Sequence, residues 1–88
     1  MYKVLIHNKA LKYHESLDKT RARRINKAIE ILSSNPSEGQ HIKRLKGILE
    51  GKYRFASGDL RIVYSVDREN KTVLIEAIGP RGDIYKYK

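Results

Sequence analysis

Hydrophobic positions along the chain follow two different spacings. In "YKVLIH" (2–7), Tyr2, Val4 and Ile6 fall on alternate positions, which predicts a first β-strand. The spacing then turns helical. Ala10, Tyr13 and Leu17 form the stripe of a helix over about 9–17, with Asn8 as its N-cap. Ile25, Ala28, Ile29 and Leu32 follow the i, i+3, i+4, i+7 rule and predict a second helix over about 19–33, capped by Asp18. Its opposite face carries Arg21, Arg23, Arg24 and Lys27. Pro36 disfavours helical geometry at Asn35 and stops it. Almost nothing separates the helices, so an antiparallel helical hairpin is expected.

Alternation returns in the second half. "SNPSEGQ" (34–40) reads as a loop and "HIKRLKG" (41–47) as a basic, partly extended connection. Strands follow at about 52–57, 60–66 and 72–78, with turns at Ser57-Gly58 and "DREN" (67–70). "GPRG" (79–82) is expected to break the last strand and "DIYKYK" to form a short extended tail. The expected class is α+β, in the order β-α-α-β-β-β. A helical hairpin packs on one face of a small, mainly antiparallel sheet and leaves the other face partly open.

Length and charge narrow the picture. With 88 residues, the chain suits one domain spanning 1–88. Its formal charge is +9, from 19 Lys and Arg against 10 Asp and Glu. Such a charge favours polyanions, nucleic acid first and acidic protein segments second. Cysteine is absent, so no disulfide or thiolate metal site is available. The N-terminus has no apolar run suited to a signal peptide, and no stretch suits a bilayer. The expected location is the cytoplasm.

The stretch "GKYRFASGDLRIVY" places Arg54 and Arg61 in two strands around a tight turn. With Ser57 and Gly58 as a two-residue turn, Phe55 would pair with Leu60 and Arg54 with Arg61. Directly opposed residues share a face. Phe55, Leu60, Ile62 and Tyr64 would then point to the helices, and both arginines to the open side. Two opposed guanidinium groups repel, by roughly 3 kcal/mol at about 5 Å and an effective dielectric of 20. A phosphate between them reverses the sign, because arginine grips it with paired N–H donors. The alternative is that both are solvated, or paired with Asp59 or Glu76.

The C-terminal "IGPRGDIYKYK" adds Arg81 in a loop at the sheet end and Tyr85 four residues later. A tyrosine there can stack on a base or exchange hydrogen bonds. The alternative is a frayed tail in which Tyr85 or Tyr87 covers an edge of the core. His7, His14 and His41 lack metal-ligand spacing, and His41 alone lies near the basic connection.

The order of elements, with Leu45-Lys46-Gly47, Tyr53-Arg54, Gly58-Asp59-Leu60-Arg61-Ile62-Val63-Tyr64, Arg81 and Tyr85, resembles the RelE/ParE toxin superfamily of toxin–antitoxin systems over nearly the whole chain. The RelE branch cuts mRNA in the ribosomal A site. The resemblance implies attack by the substrate's own 2′-hydroxyl on the adjacent phosphate, with neither metal nor other cofactor. On that resemblance Arg61 would stabilise the phosphorane, Arg54 would occupy a place often held by a catalytic Lys or Arg, Arg81 would hold the scissile phosphate, and Tyr85 would stack on or hydrogen-bond the substrate. Lys43, Arg44, Lys46 and Lys52 would contact RNA, including ribosomal RNA. The implied partners are mRNA on the ribosome and a cognate antitoxin whose acidic, amphipathic segment covers the basic face. The toxin would be monomeric alone and hetero-oligomeric with its antitoxin, and no membrane is involved.

The chain departs from the superfamily pattern at three places. Ala56 stands where some members carry a second basic residue, Leu60 replaces the aromatic before Arg61, and Pro80 precedes Arg81. No general base stands out, with Tyr85, Lys43 and His41 as candidates. Two other readings share the fold: a ParE-like inhibitor of DNA gyrase without nuclease activity, and a basic binding module without catalysis.

Overall fold

The computed structural model describes residues 1–47 and 50–80. Among them the elements run β1 (Lys3–Ile6), α1 (Asn8–Glu15), α2 (Lys19–Ser34), β2 (Ile42–Arg44), β3 (Tyr53–Ser57), β4 (Leu60–Asp67) and β5 (Thr72–Pro80). The strands form one sheet in the order β1-β5-β4-β3-β2. Only the β1–β5 pairing is parallel; the others are antiparallel. The α+β architecture is the expected one, with β2 as an addition drawn from the basic connection. β5 also runs on through Gly79 to Pro80, which pairs with Leu60, rather than breaking at "GPRG".

Local chemistry explains both helices. α2 starts at the expected cap, where the Asp18 carboxylate accepts a hydrogen bond from the Arg21 N–H at 3.1 Å. α1 is capped by His7, not Asn8. The His7 imidazole accepts from the Lys9 N–H, while the backbone N–H of His7 still donates to Ile75 of the sheet. Asn8 comes after this strand-like residue and already lies in the helix. The two helices are tied together by His14 Nε2 and Asn26 Oδ1, 3.1 Å apart.

The core forms where the helical stripe meets one sheet face. Ala10, Ile25, Ala28 and Leu32 pack with Tyr53, Phe55, Leu60, Ile62, Tyr64, Val73, Ile75 and Ile78. Each fully buried aliphatic side chain contributes roughly 1.5–3 kcal/mol. Tyr64 is fully buried, stacks on Tyr53 with ring centroids 5.5 Å apart, and donates to the Pro36 carbonyl at 2.7 Å. Burial raises its phenol well above the ordinary tyrosine range. The tyrosine therefore acts as a neutral hydrogen-bonded strut between the sheet and the loop after α2.

Two register details shape the other face. The β3–β4 turn is Gly58-Asp59, one residue later than expected, so Phe55 pairs with Ile62 and Ser57 with Leu60. Gly58 has φ of 61° and Asp59 does not share the positive φ, the pattern of a II′ hairpin with glycine at its first central position. The slip amounts to two residues of pairing. Side-chain period is two, so every residue keeps its expected face. The second detail is a bulge. Val63 pairs with Ala77 but Tyr64 pairs with Ile75, leaving Glu76 as the extra residue on β5. This is why Ile75 and Ile78, three apart, both reach the core.

Candidate functional site

The face of the sheet away from the helices carries the charges. Across it run two rows of directly paired residues. One is Lys43 on β2, Arg54 on β3, Val63 on β4 and Ala77 on β5. The other is Ala56, Arg61 and Gly79. Ala56, Val63, Ala77 and Gly79 put small side chains along these rows, and the face is open only in part, since Val63, Ala77, Gly79 and Arg61 are buried. Leu45 packs against Val63 and Ala77.

Arg54 and Arg61 share this face but do not oppose one another. Arg54 pairs with Val63 and Arg61 with Ala56, so the two arginines are diagonal neighbours. Diagonal positions lie about 7–8 Å apart, against about 5 Å for a direct pair. Like-charge repulsion falls to about 2 kcal/mol at an effective dielectric of 20. Arg61 is 9% exposed, and its Nη1 donates to the carbonyl oxygens of Gly58 at 2.7 Å and Leu60 at 2.8 Å. Those bonds fix the guanidinium beside the hairpin turn. Arg54 has a buried Nε with no acceptor among the described residues. A buried donor of this kind costs about 1–3 kcal/mol until something accepts from it.

Among the described residues, the carboxylates that could neutralise these arginines are engaged elsewhere. Asp59, in the turn, accepts from Arg21 Nη2 at 3.0 Å and lies 3.9 Å from Arg24, both on α2. The Arg21 hydrogen bond, aided by the Arg21 and Arg24 charges, holds the Asp59 carboxyl below the usual carboxylate range. Glu76 pairs with Lys52, whose backbone position two residues before Arg54 gives it the same face. The alternative in which Asp59 or Glu76 pairs with the arginines is therefore replaced by a different pairing. Asp59 ties the hairpin tip to α2, and Glu76 holds Lys52.

The other expected residues divide. Lys43 sits on the open face beside Arg54. Arg44, next in sequence, alternates to the helix side, where its guanidinium lies 5.8 Å from the Tyr53 ring centroid. It therefore does not join Lys43. Lys52 is present on the open face but as half of an ion pair. Lys46 is exposed in the loop after β2. Arg81, Tyr85 and Tyr87 lie outside the described residues. His41 is on the helix side, 5.6 Å from Phe55 and beside Arg24, Lys27 and Ile31. The residue that sequence reasoning underrated is Glu76. Its signal was a lone carboxylate inside the apolar "VLIEAI", on the strand where alternation slips by one.

Residues 4–85 match the profile of the ParE toxin of the type II toxin–antitoxin system parDE. The chain belongs to the RelE/ParE toxin family. It is 34% identical over 87 residues to a RelE1 toxin candidate of Methanocaldococcus jannaschii, covering 97% of this chain and 96% of that one. Among solved structures it is similar to the RelE–RelB complex of Pyrococcus horikoshii OT3, with 35% identity, a TM-score of 0.78, and 92% and 96% coverage of the two chains. The toxin–antitoxin complex RelBE2 of Mycobacterium tuberculosis gives 27% identity, the same TM-score of 0.78, and 91% and 98% coverage. No helix among the described residues is long and apolar enough to cross a membrane.

Proposed function

We propose that this RelE/ParE-family toxin is a ribosome-dependent endoribonuclease that cuts mRNA and is held inactive by a cognate antitoxin. One observation carries the reading: Arg54 and Arg61 share the open sheet face while the nearby carboxylates, Asp59 and Glu76, are taken by Arg21 and Lys52. Among the described residues such a face lacks the anion that would balance it, and a scissile phosphodiester would supply one. Attack of the substrate 2′-oxygen on phosphorus builds negative charge on the equatorial oxygens. Arg61, already oriented by two carbonyls, would meet that charge with little reorganisation. Arg54, on the same face, would meet a phosphate oxygen through its guanidinium. Arg81 would hold the same phosphate, and Tyr85 would stack on or hydrogen-bond the substrate. Lys43, Lys46 and Lys52 would contact RNA from this side, and Arg44 from the adjacent edge.

The antitoxin would lay an acidic, amphipathic segment over Arg54 and Arg61. Two of the similar solved structures are toxin–antitoxin complexes, which supports that partner. The toxin would work in the cytoplasm as one domain spanning 1–88, monomeric alone and hetero-oligomeric with antitoxin.

The ParE profile match favours a second reading, inhibition of DNA gyrase without cleavage. Primer extension on an mRNA translated with added toxin separates them. Ribosome-dependent breaks that vanish with Arg61→Ala and Arg81→Ala support the nuclease. No breaks, with supercoiling inhibited, support the gyrase reading.

A further inference from the structure

A second pair of arginines converges at the other end of the hairpin, on its helix side. Arg44 is the last residue of β2, and Arg68 follows the last residue of β4. Both guanidinium groups rest on one side chain, Tyr53. That of Arg44 lies 5.8 Å from the Tyr53 ring centroid, and Arg68 Nη2 donates to the Tyr53 hydroxyl oxygen at 3.2 Å. We infer that Arg44 and Arg68, held on Tyr53, form a site for a backbone phosphate of single-stranded RNA, separate from the face that carries Arg54 and Arg61. The inference rests on the RNA-binding part of the reading above and adds Arg68 and Tyr53, to which that reading gives no role.

Register brings the group together. Arg44 pairs directly with Tyr53, and Tyr53 with Tyr64, so the three share one side of the sheet. Arg68 opens the β4–β5 turn and reaches back to the same tyrosine. Tyr53 is buried and stacks on Tyr64, which is fixed in turn by its bond to Pro36. The platform is therefore rigid, while Arg44 and Arg68 themselves are exposed. With the loop residues Glu50 and Gly51 they line an open pocket of about 460 Å³. Lys52 stands in the same wall but is taken by Glu76.

Among the described residues neither arginine forms an ion pair, and Glu50 shares the pocket without bonding to either. A phosphodiester brings negative charge and oxygens that match the guanidinium fork. Tyr53 sets both forks in advance, one over its ring and one on its hydroxyl, so less side-chain freedom is lost when a ligand arrives. Tyr64 stacks on the Tyr53 ring and Arg44 lies over it, so the ring is not offered to a base. The group recognised is the phosphate, and base sequence is not read. Distance favours a polymer over a single anion. Arg61 lies seven residues back along β4, about 23 Å away, and on the opposite face. One phosphate cannot serve both places, whereas a strand with a phosphate on every unit can reach from one to the other.

Two measurements on the full chain test the site. In the first, backbone amide shifts are followed by NMR as inorganic phosphate is added. Gly51, Tyr53 and Arg68 should move together, and Arg61→Ala should leave that movement in place. In the second, an oligouridylate with 2′-O-methyl groups, which has no 2′-hydroxyl to attack, is bound over a range of salt. Arg68→Ala should weaken binding about tenfold and lower the salt slope by about 0.7. Arg68→Lys should recover the slope but not the affinity, because an ammonium lacks the fork. Tyr53→Phe should keep the slope and lose about threefold in affinity, since Arg68 loses its acceptor. Glu50→Gln should tighten binding. Affinity of Arg68→Ala within about twofold of wild type, at the same slope, would overturn the inference. So would full recovery by Arg68→Lys, or phosphate shifts confined to the surroundings of Arg54 and Arg61. Polyglutamate that moves the pocket amides at a lower concentration than the RNA would assign the pocket to an acidic protein segment and overturn it too. A wild-type chain that binds RNA through Arg68 but cuts no mRNA on ribosomes would overturn the nuclease reading and support this site.

Discussion

The two faces of one hairpin differ more than any two elements of the molecule. On the helix side β3 and β4 present Tyr53, Phe55, Leu60, Ile62 and Tyr64, all buried. On the other side the same strands present Arg54, Ala56, Arg61 and Val63. On the helix side the Tyr64 hydroxyl meets the Pro36 carbonyl at 2.7 Å. On the other side Arg54 Nε is buried without an acceptor among the described residues. Folding is served by the first face. The second is organised at a cost in like-charge repulsion, and an anionic partner relieves that cost.

Substitutions on each face should break this contrast in opposite ways. The largest effect belongs to the core. Leu32→Ala should lower stability by about 2–5 kcal/mol, read by chemical denaturation, a large share of a domain total of about 5–15. Cleavage per folded molecule should not change. Tyr64→Phe should lower stability by about 1–3 kcal/mol, because the Pro36 carbonyl loses its buried donor. RNA affinity should stay as it is. Arg54→Ala should do the reverse. Thermal stability should hold or rise, since a buried unaccepted donor is removed, while the salt slope for single-stranded RNA drops by about 0.7. The smallest effect concerns Asp59. Its folded-state carboxyl is depressed, so its contribution is present at neutral pH and is lost as pH falls through the folded value. Between about pH 6 and about pH 2, wild type should lose more thermal stability than Asp59→Asn.

Face assignment was legible in the sequence because alternation survives an error of two in pairing. Phe55, Leu60, Ile62 and Tyr64 fall on the core face, and Arg54 and Arg61 on the other, with the turn at either place. The turn itself was harder to read. Ser57-Gly58 and Gly58-Asp59 both suit a two-residue hairpin, and the choice depends on which central position the glycine's positive φ serves. That single step decided whether the arginines stood opposed or diagonal.

Other features were hidden for separate reasons. β2 is three residues long and two of them are basic, so it carries almost no hydrophobic pattern. Once β2 is extended, neighbours alternate, and Lys43 and Arg44 must part to opposite faces. The His7 cap is hidden in the sequence because the asparagine beside it is the better capping residue by propensity. The bulge at Glu76 did leave a trace, in the break between Ile75 and Ile78. That trace marks where a carboxylate enters the open face.

The most direct test is a double-mutant cycle on Arg54 and Arg61. Single-turnover cleavage of ribosome-bound mRNA would be measured for wild type, Arg54→Ala, Arg61→Ala and the double variant. If both guanidinium groups serve one phosphate, the double loss should fall short of the product of the single losses by about fivefold or more, a coupling of about 1 kcal/mol. Losses that multiply would place the two arginines on separate groups and contradict the shared site.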